Sequence, residues 1–249
     1  VTGAPGVISG CTVRNYTNRF VYVSLSGKIE SLTIDDCIFI GADNSTTNKA
    51  IYASSAHTQV ETLSVTNSTF LNFNTGSNYF FRINCGEELV LMPVVLIDHC
   101  TFYNCYDRRG VYLYNAGRST IKNCISAFSE RRDDTKSFTA YGDESIVKNV
   151  ISYNVDLYGS APKENIISKN PLFVDAENGN FQLYKDSPAV GAGDDGSDLG
   201  DPRWGVSTEN APVGELPYEC FKKPYSMSPT THSVRIPVSY THLRAHETL

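Results

Sequence analysis

The sequence predicts an all-β fold, a right-handed parallel β-helix built as a solenoid of stacked coils. Three observations predict it. One short pattern recurs along the first 175 or so residues: apolar, any, apolar, any, polar, small or Cys, any, apolar. A second strand-like segment precedes each copy. The composition, with Tyr 15 against Met 2 and Trp 1 and with Asn throughout, favours strands and turns over helices.

The clear copies are Leu32 to Phe39, Leu63 to Phe70 and Val95 to Phe102. Weaker copies run from Ser119 to Ser126 and from Ser145 to Ser152, and an opening copy is read from Val13 through Asn15 to Tyr16. The Cys-equivalent positions are then 16, 37, 68, 100, 124 and 150, spaced as irregular solenoid coils with variable loops.

The preceding segments are Phe20 to Ser24, Ala50 to Ser54, Phe80 to Asn84, Val111 to Asn115 and Phe138 to Tyr141. Their period-two alternation assigns Val21, Val23, Ile51, Ala53, Phe81, Ile83, Val111, Leu113, Phe138 and Ala140 to the interior. Two strands per repeat, stacked about 4.8 Å apart, give parallel sheets around one core. Parallel crossovers are right-handed. A propeller needs four strands per blade, and a sandwich needs tight hairpin turns that do not separate these segments.

A polar column, Asn15, Asp36, Asn67, His99, Asn123 and Asn149, falls between strands. Asn tolerates the left-handed conformation of a sharp corner, and its amide is expected to bond the same residue one coil away. His99 is read as a corner residue too. Among seven cysteines, Cys37, Cys100 and Cys124 share one repeat position and are expected to stack inward, with Cys100 and Cys124 close enough to bridge. The odd total and the lack of CxxC pairs argue against zinc.

Lys+Arg 21 against Asp+Glu 27 gives a net charge of -6. That balance excludes a nucleic-acid partner and an anionic membrane surface, and no apolar run is long enough for a membrane span. No nucleotide, haem or zinc motif and no nucleophile elbow is present.

Residues 170–205 read NPLFVDAENGNFQLYKDSPAVGAGDDGSDLGDPRWG. The words NPLFVD, NGNFQLYKDSPAVGAG and DLGDPRWG resemble the closing segment of bacterial right-handed parallel β-helix proteins of the pectate-lyase-like superfamily. The style is that of β-helix domains from polysaccharide-degrading gut bacteria. These words specify a fold and its cap, and no reaction. The resemblance implies a secreted or cell-surface, monomeric protein whose partner is a polysaccharide. Leu172, Phe173, Phe181, Leu183, Pro188, Ala189, Val190 and Trp204 are expected to cover the open end of the solenoid. The cluster Asp194, Asp195, Asp198 and Asp201 suits either a Ca²⁺ loop or a capping turn. With no Glu closing a loop pattern, the turn is the reading and no cofactor is assigned.

Function is expected on the outward columns of the strand segments. Tyr22, Tyr52, Arg82, Tyr112, Tyr114 and Tyr141 are assigned to substrate binding, since sugar rings pack on aromatic faces and Arg pairs with uronate or sulfate. A lyase needs a base and a charge partner, and the candidates are Arg82, Arg109 and Lys136. Arg108, Arg131 and Arg132 lie in neighbouring charged loops. The alternatives are a non-catalytic adhesion solenoid and a structural domain of a larger carbohydrate-active protein.

The domain reading is a β-helix with its cap over residues 1–205 and an irregular, proline-rich extension over 206–237. The tail 238–249 is set aside, because VSYTHLRAHET resembles a translated library-adaptor sequence. That removes the spacing of His242 and His246 from consideration as a metal site. The opening at Val1 leads to the expectation of a fragment of a longer protein with its export signal upstream.

Overall fold

The computed structural model describes residues 5–16, 18–23, 28–41, 49–55, 59–73, 79–85, 94–114 and 116–212. The tail, the extension beyond residue 212, Cys220 and Asn115 lie outside the described residues.

The chain winds as a parallel β-solenoid, and each coil uses three strands where two were expected. The first coil is β1 (Gly6–Ser9), β2 (Thr12–Val13) and β3 (Arg19–Val23). The second is β4 (Lys28–Asp35), β5 (Ile38–Ile40) and β6 (Lys49–Ser55); the third is β7 (Gln59–Thr66), β8 (Thr69–Leu71) and β9 (Phe81–Cys85). Then come β10 (Val94–Asp98), β11 (Thr101–Tyr103) and β12 (Val111–Tyr114). In the later coils β13 (Ser119–Ala127) and β15 (Ile146–Tyr153) run through the corner, with β14 (Lys136–Ala140) and β16 (Asp156–Tyr158) as the third strands. The last coil strand is β17 (Lys163–Ile167), followed by the antiparallel pair β18 (Phe173–Asp175) and β19 (Asn180–Leu183).

The recurring sequence pattern is thus two strands and the corner between them. Register shows it directly: Ile8, Ile34, Val65, Ile97, Ile121 and Val147 line up on one side of the corner. Val13, Phe39, Phe70 and Phe102 line up on the other. The third strands form a separate six-stranded sheet in the order β16-β14-β12-β9-β6-β3.

The corner needs a left-handed residue in every coil, which explains the polar column. Gly10, Asp36, Asn67, His99, Asn123, Asn149 and Asn165 all have φ between 47° and 66°. The opening copy therefore turns at Gly10 and Cys11, and the expected Asn15 and Tyr16 are displaced. Asn15 belongs to a second corner shared with Asn72, Asn104 and Asn154, also at positive φ. Asn165 Nδ2 bonds the same position one coil away, Asn149 Oδ1, at 3.5 Å, whereas two other corner amides reach the residue before the corner one coil away. Asn67 Nδ2 donates to Asp35 Oδ1 at 2.9 Å and Asn123 Nδ2 to Asp98 Oδ1 at 3.0 Å.

All ten residues assigned to the interior of the third strands are buried. Phe39, Phe70 and Phe102 stack inside the coils with centroids 4.8 and 5.0 Å apart. Where Ser126 ends that ladder, Phe138 meets Phe102 edge-on at 5.2 Å. Cys37, Cys100 and Cys124 point inward as free thiols, each donating to the carbonyl two residues back. Burial pushes the Cys100 thiol well up.

The C-terminal segment, expected from sequence to plug the open end of the solenoid, lies along its side instead. Phe173, Phe181, Leu183, Ala189, Leu199 and Trp204 pack on Ile38, Leu71, Tyr103, Ile125 and Ile151, outward residues of the stretch that follows the corner in each coil. A side of five apolar positions left in water would be an aggregation surface, so a second core forms there. Val190 is exposed and takes no part. The terminal strand β17 is protected instead by the exposed charges Lys163 and Glu164.

Candidate functional site

Alternation in the third sheet turns every second side chain outward, and parallel in-register stacking turns sequence positions into straight columns. Tyr22 pairs with Tyr52, Tyr52 with Arg82, Arg82 with Tyr112, Tyr112 with Thr139, and Thr139 with Tyr158. Tyr114 is two residues along from Tyr112, and the Tyr141 N–H donates to Leu113 O, which sets its ring beside Tyr114. All six residues expected on this face are brought together.

The rings form one chain of contacts. Tyr22 and Tyr52 lie 6.0 Å apart, Tyr52 and Tyr79 6.4 Å, and Tyr79 and Tyr112 5.4 Å. Tyr112 then stacks on Tyr114 at 5.9 Å, Tyr114 meets Tyr141 at 5.3 Å, and Tyr141 meets Tyr158 at 6.4 Å. Tyr79 and Tyr158 were not found from sequence. Tyr79 sits just before its strand, outside the alternating window, and Tyr158 follows the last recognised copy.

Guanidinium groups are threaded through the rings. Arg19 lies 4.5 Å from the Tyr22 ring and 4.4 Å from Tyr52. Arg82 lies 4.5 Å from Tyr79 and donates to the hydroxyls of Tyr52 and Tyr79. Arg109 lies 4.9 Å from Tyr112. Arg19 is in register with Lys49, whose ammonium donates to Tyr79 O at 3.2 Å and whose burial pulls its pKa down. Arg19 and Lys49 had carried no signal by themselves, because each stands at a strand start, just before the recognised segment and in phase with its inward residues.

The inner rings are engaged with one another and with cations. Tyr112 is buried, and burial raises its phenol pKa. Open ring surface concentrates at Tyr22, Tyr114 and Tyr158, which are 49%, 36% and 55% exposed. What the middle of the face offers is phenol hydroxyls and guanidinium edges.

Lys136 lies beside this row, its N–H donating to Arg108 O. Its ammonium is 3.1 Å from Asp156 Oδ2, and Arg131 holds Asp156 Oδ1 at 2.9 Å. The Lys136 and Arg131 hydrogen bonds hold the Asp156 carboxyl below its ordinary range, against burial. Arg132 leaves the face and stacks on Tyr106 at 4.6 Å.

The chain's similarity to known proteins bears on this face in one place. A family model for a domain of unknown function (DUF5123) matches residues 95–204. The match runs from β10 through the last 3₁₀ turn, Pro202–Trp204. It takes in Arg109, Tyr112, Tyr114, Lys136 and Tyr141 and leaves out Tyr22, Tyr52 and Arg82. No curated protein matches the chain.

The four aspartates of the C-terminal segment each have separate partners. Asp194 pairs with Lys122 at 3.2 Å and Lys148 at 2.9 Å. Asp195 accepts from Ser197, and Asp198 from the Gly191 N–H. Asp201, buried, accepts from Thr69 at 2.7 Å and from Arg203 at 2.8 Å. Among the described residues no group of three acidic, His or Cys side chains converges on one point. No helix among them is long and apolar enough to cross a membrane.

Proposed function

We propose that the third sheet is a binding face for an anionic polysaccharide. One observation carries the reading: seven tyrosines in continuous contact with Arg19, Arg82 and Arg109 threaded among them. On a chain of net charge -6, a column of cations is a local reversal of sign, and it selects a polymer carrying carboxylate or sulfate. The exposed rings of Tyr22, Tyr114 and Tyr158 supply apolar surface for sugar C–H faces, and the phenol hydroxyls between them supply hydrogen bonds.

The reading is binding ahead of cleavage. A lyase base must be free to take a proton, while Lys136 is paired with Asp156 and Arg82 is held by two phenols. The fold, together with the closing words of the sequence, supports membership of the pectate-lyase-like superfamily. With it comes a secreted or cell-surface monomer, of which this solenoid is the adhesive or targeting part. Fold-level analogy bears on the substrate class only, and the face itself carries the argument.

A glycan array carrying uronate, sulfated and neutral polymers tests it. Retention of acidic polymers, lost in Tyr22→Ala/Tyr158→Ala and in Arg19→Gln/Arg109→Gln, supports the reading. No retention of any acidic polymer overturns it. Ultraviolet absorbance from an unsaturated product would move the reading to a lyase.

A further inference from the structure

The C-terminal segment runs as a strap along the corner column, one contact per coil. Asn149 donates to Ala192 O, Asn123 to Asp194, and Arg203 reaches Asn67 O and Asp36. The middle contact is His99, the one residue of that column that titrates near neutrality.

His99 Nδ1 is 2.9 Å from Asp98 Oδ1, and Nε2 is 2.7 Å from Ser197 Oγ. Ser197 Oγ also bonds Asp195 Oδ1. A carboxylate only accepts, so the single hydroxyl proton lies toward Asp195 and the serine oxygen is left to accept. Nε2 therefore donates. Asp98 likewise takes a proton from Nδ1, so both ring nitrogens are protonated in this arrangement. Asp98, His99 and Ser197 touch in the order of a hydrolytic triad, but a nucleophilic serine must give its proton to a neutral imidazole. The N–H groups of Ser197, Leu199 and Gly200 are also taken, by Asp195, Ala189 and Asn123.

We infer that His99 is a pH-operated clasp. Protonated, it fastens the strap at Asp195–Ser197; neutral, it lets that rung go and opens the cleft beneath. That cleft, of about 410 Å³, lies between His99, Ser197, Thr101, Phe181 and Trp204. The clasp is separate from the proposed glycan face.

The charged groups around the ring are few. Asp98 lies on its own coil and Asp195 on the strap, with Oδ2 3.9 Å from Nε2. Lys122 comes from the next coil, 3.4 Å from Asp98 Oδ2 and also paired to Asp194. Two coils before, Asp35 is held by Thr66 and Asn67 of the coil between. The Asp98 hydrogen bond raises the His99 pKa above its ordinary value; burial and Lys122 oppose it. A raised folded pKa gives stabilisation that is full below the ordinary histidine value of about 6.5 and lost as pH rises through the folded one.

Amide hydrogen exchange from pH 6 to 9, corrected for intrinsic rate, tests this on the intact chain. Leu199 and Gly200, which donate across the strap, should lose about tenfold in protection for each pKa unit by which the fold raises His99. Ile125, inside the sheet, should not change. In His99→Asn, which installs the corner residue of neighbouring coils, the strap profile should be flat. In Ser197→Ala the imidazole, followed by NMR, should titrate lower than in the parent. Identical profiles in parent and His99→Asn, or an imidazole that titrates at or below about 6.5 in the parent, would overturn the inference.

Discussion

Asn123 and Asp194, 71 positions apart in the chain, bond each other twice. The Asn123 amide donates to Asp194 Oδ1 at 2.8 Å, and the Asp194 N–H donates back to Asn123 Oδ1 at 3.0 Å. One corner amide thereby fixes both the side chain and the backbone of the strap. Because Asn123 also reaches Asp98 on the previous coil, it joins two coils and the strap at one point.

Replacing Asn123 by Ala removes three hydrogen bonds at a buried residue and puts a Cβ-only side chain at φ 50°. Two costs add: unpaired buried partners and left-handed strain. Chemical denaturation should show a loss of about 2–4 kcal/mol. Asn123→Gly, which relieves the strain alone, should recover part of it.

Asp194 sets an acid dependence. Hydrogen bonds from Asn123, then Lys148 and Lys122, hold its carboxyl well below the usual range. A depressed folded pKa gives stability that is present above the ordinary carboxylate value and lost as pH falls through the folded one. Asp194→Asn should cost about 1–2 kcal/mol at neutral pH, and the gap to the parent should begin to narrow in thermal melts taken below about pH 4 and keep narrowing as the pH falls further.

The aromatic ladder predicts a steep cost at its centre. Phe70 is fully buried and stacks on a ring at each side, Phe39 and Phe102. Phe70→Ala should destabilise by about 3–5 kcal/mol, with Phe70→Leu costing clearly less because it leaves a smaller void. Equal losses would mean that ring stacking and volume at this position count for little.

Gly159 is the tightest approach in the later coils. At φ 95°, a Cβ there would stand 1.9 Å from Ala140 O. Gly159→Ala should therefore unfold the end of the solenoid, seen as loss of exchange protection at Ala161, whose N–H bonds the same carbonyl.

The solenoid was legible in the sequence because each coil repeats the same local demand. Ile34, Val65 and Ile97 face the core at one position, and a left-handed residue follows two places on. The tyrosine column was legible for the same reason, since period two and parallel register leave an outward residue only one place to go. Gly10 escaped notice because the asparagine signal pointed to Asn15, which serves the other corner. The strap left no such trace. Asn149 with Ala192, His99 with Ser197 and Asp36 with Arg203 are pairs without a period. The acidic run Asp194 to Asp201 reads as one cluster although its members face four different partners. Phe181 and Trp204 were recognised as covering residues, but nothing local says whether they cover an end or a side.

Binding of a uronate or sulfated polymer by isothermal titration, in parent and in Arg19→Gln/Arg109→Gln at two salt concentrations, tests the glycan face most directly. Saturable binding that weakens with salt in the parent, and falls at least tenfold in the double variant at low salt, is the predicted result. A parent that binds no acidic polymer, or a double variant that binds as tightly as the parent, would contradict it.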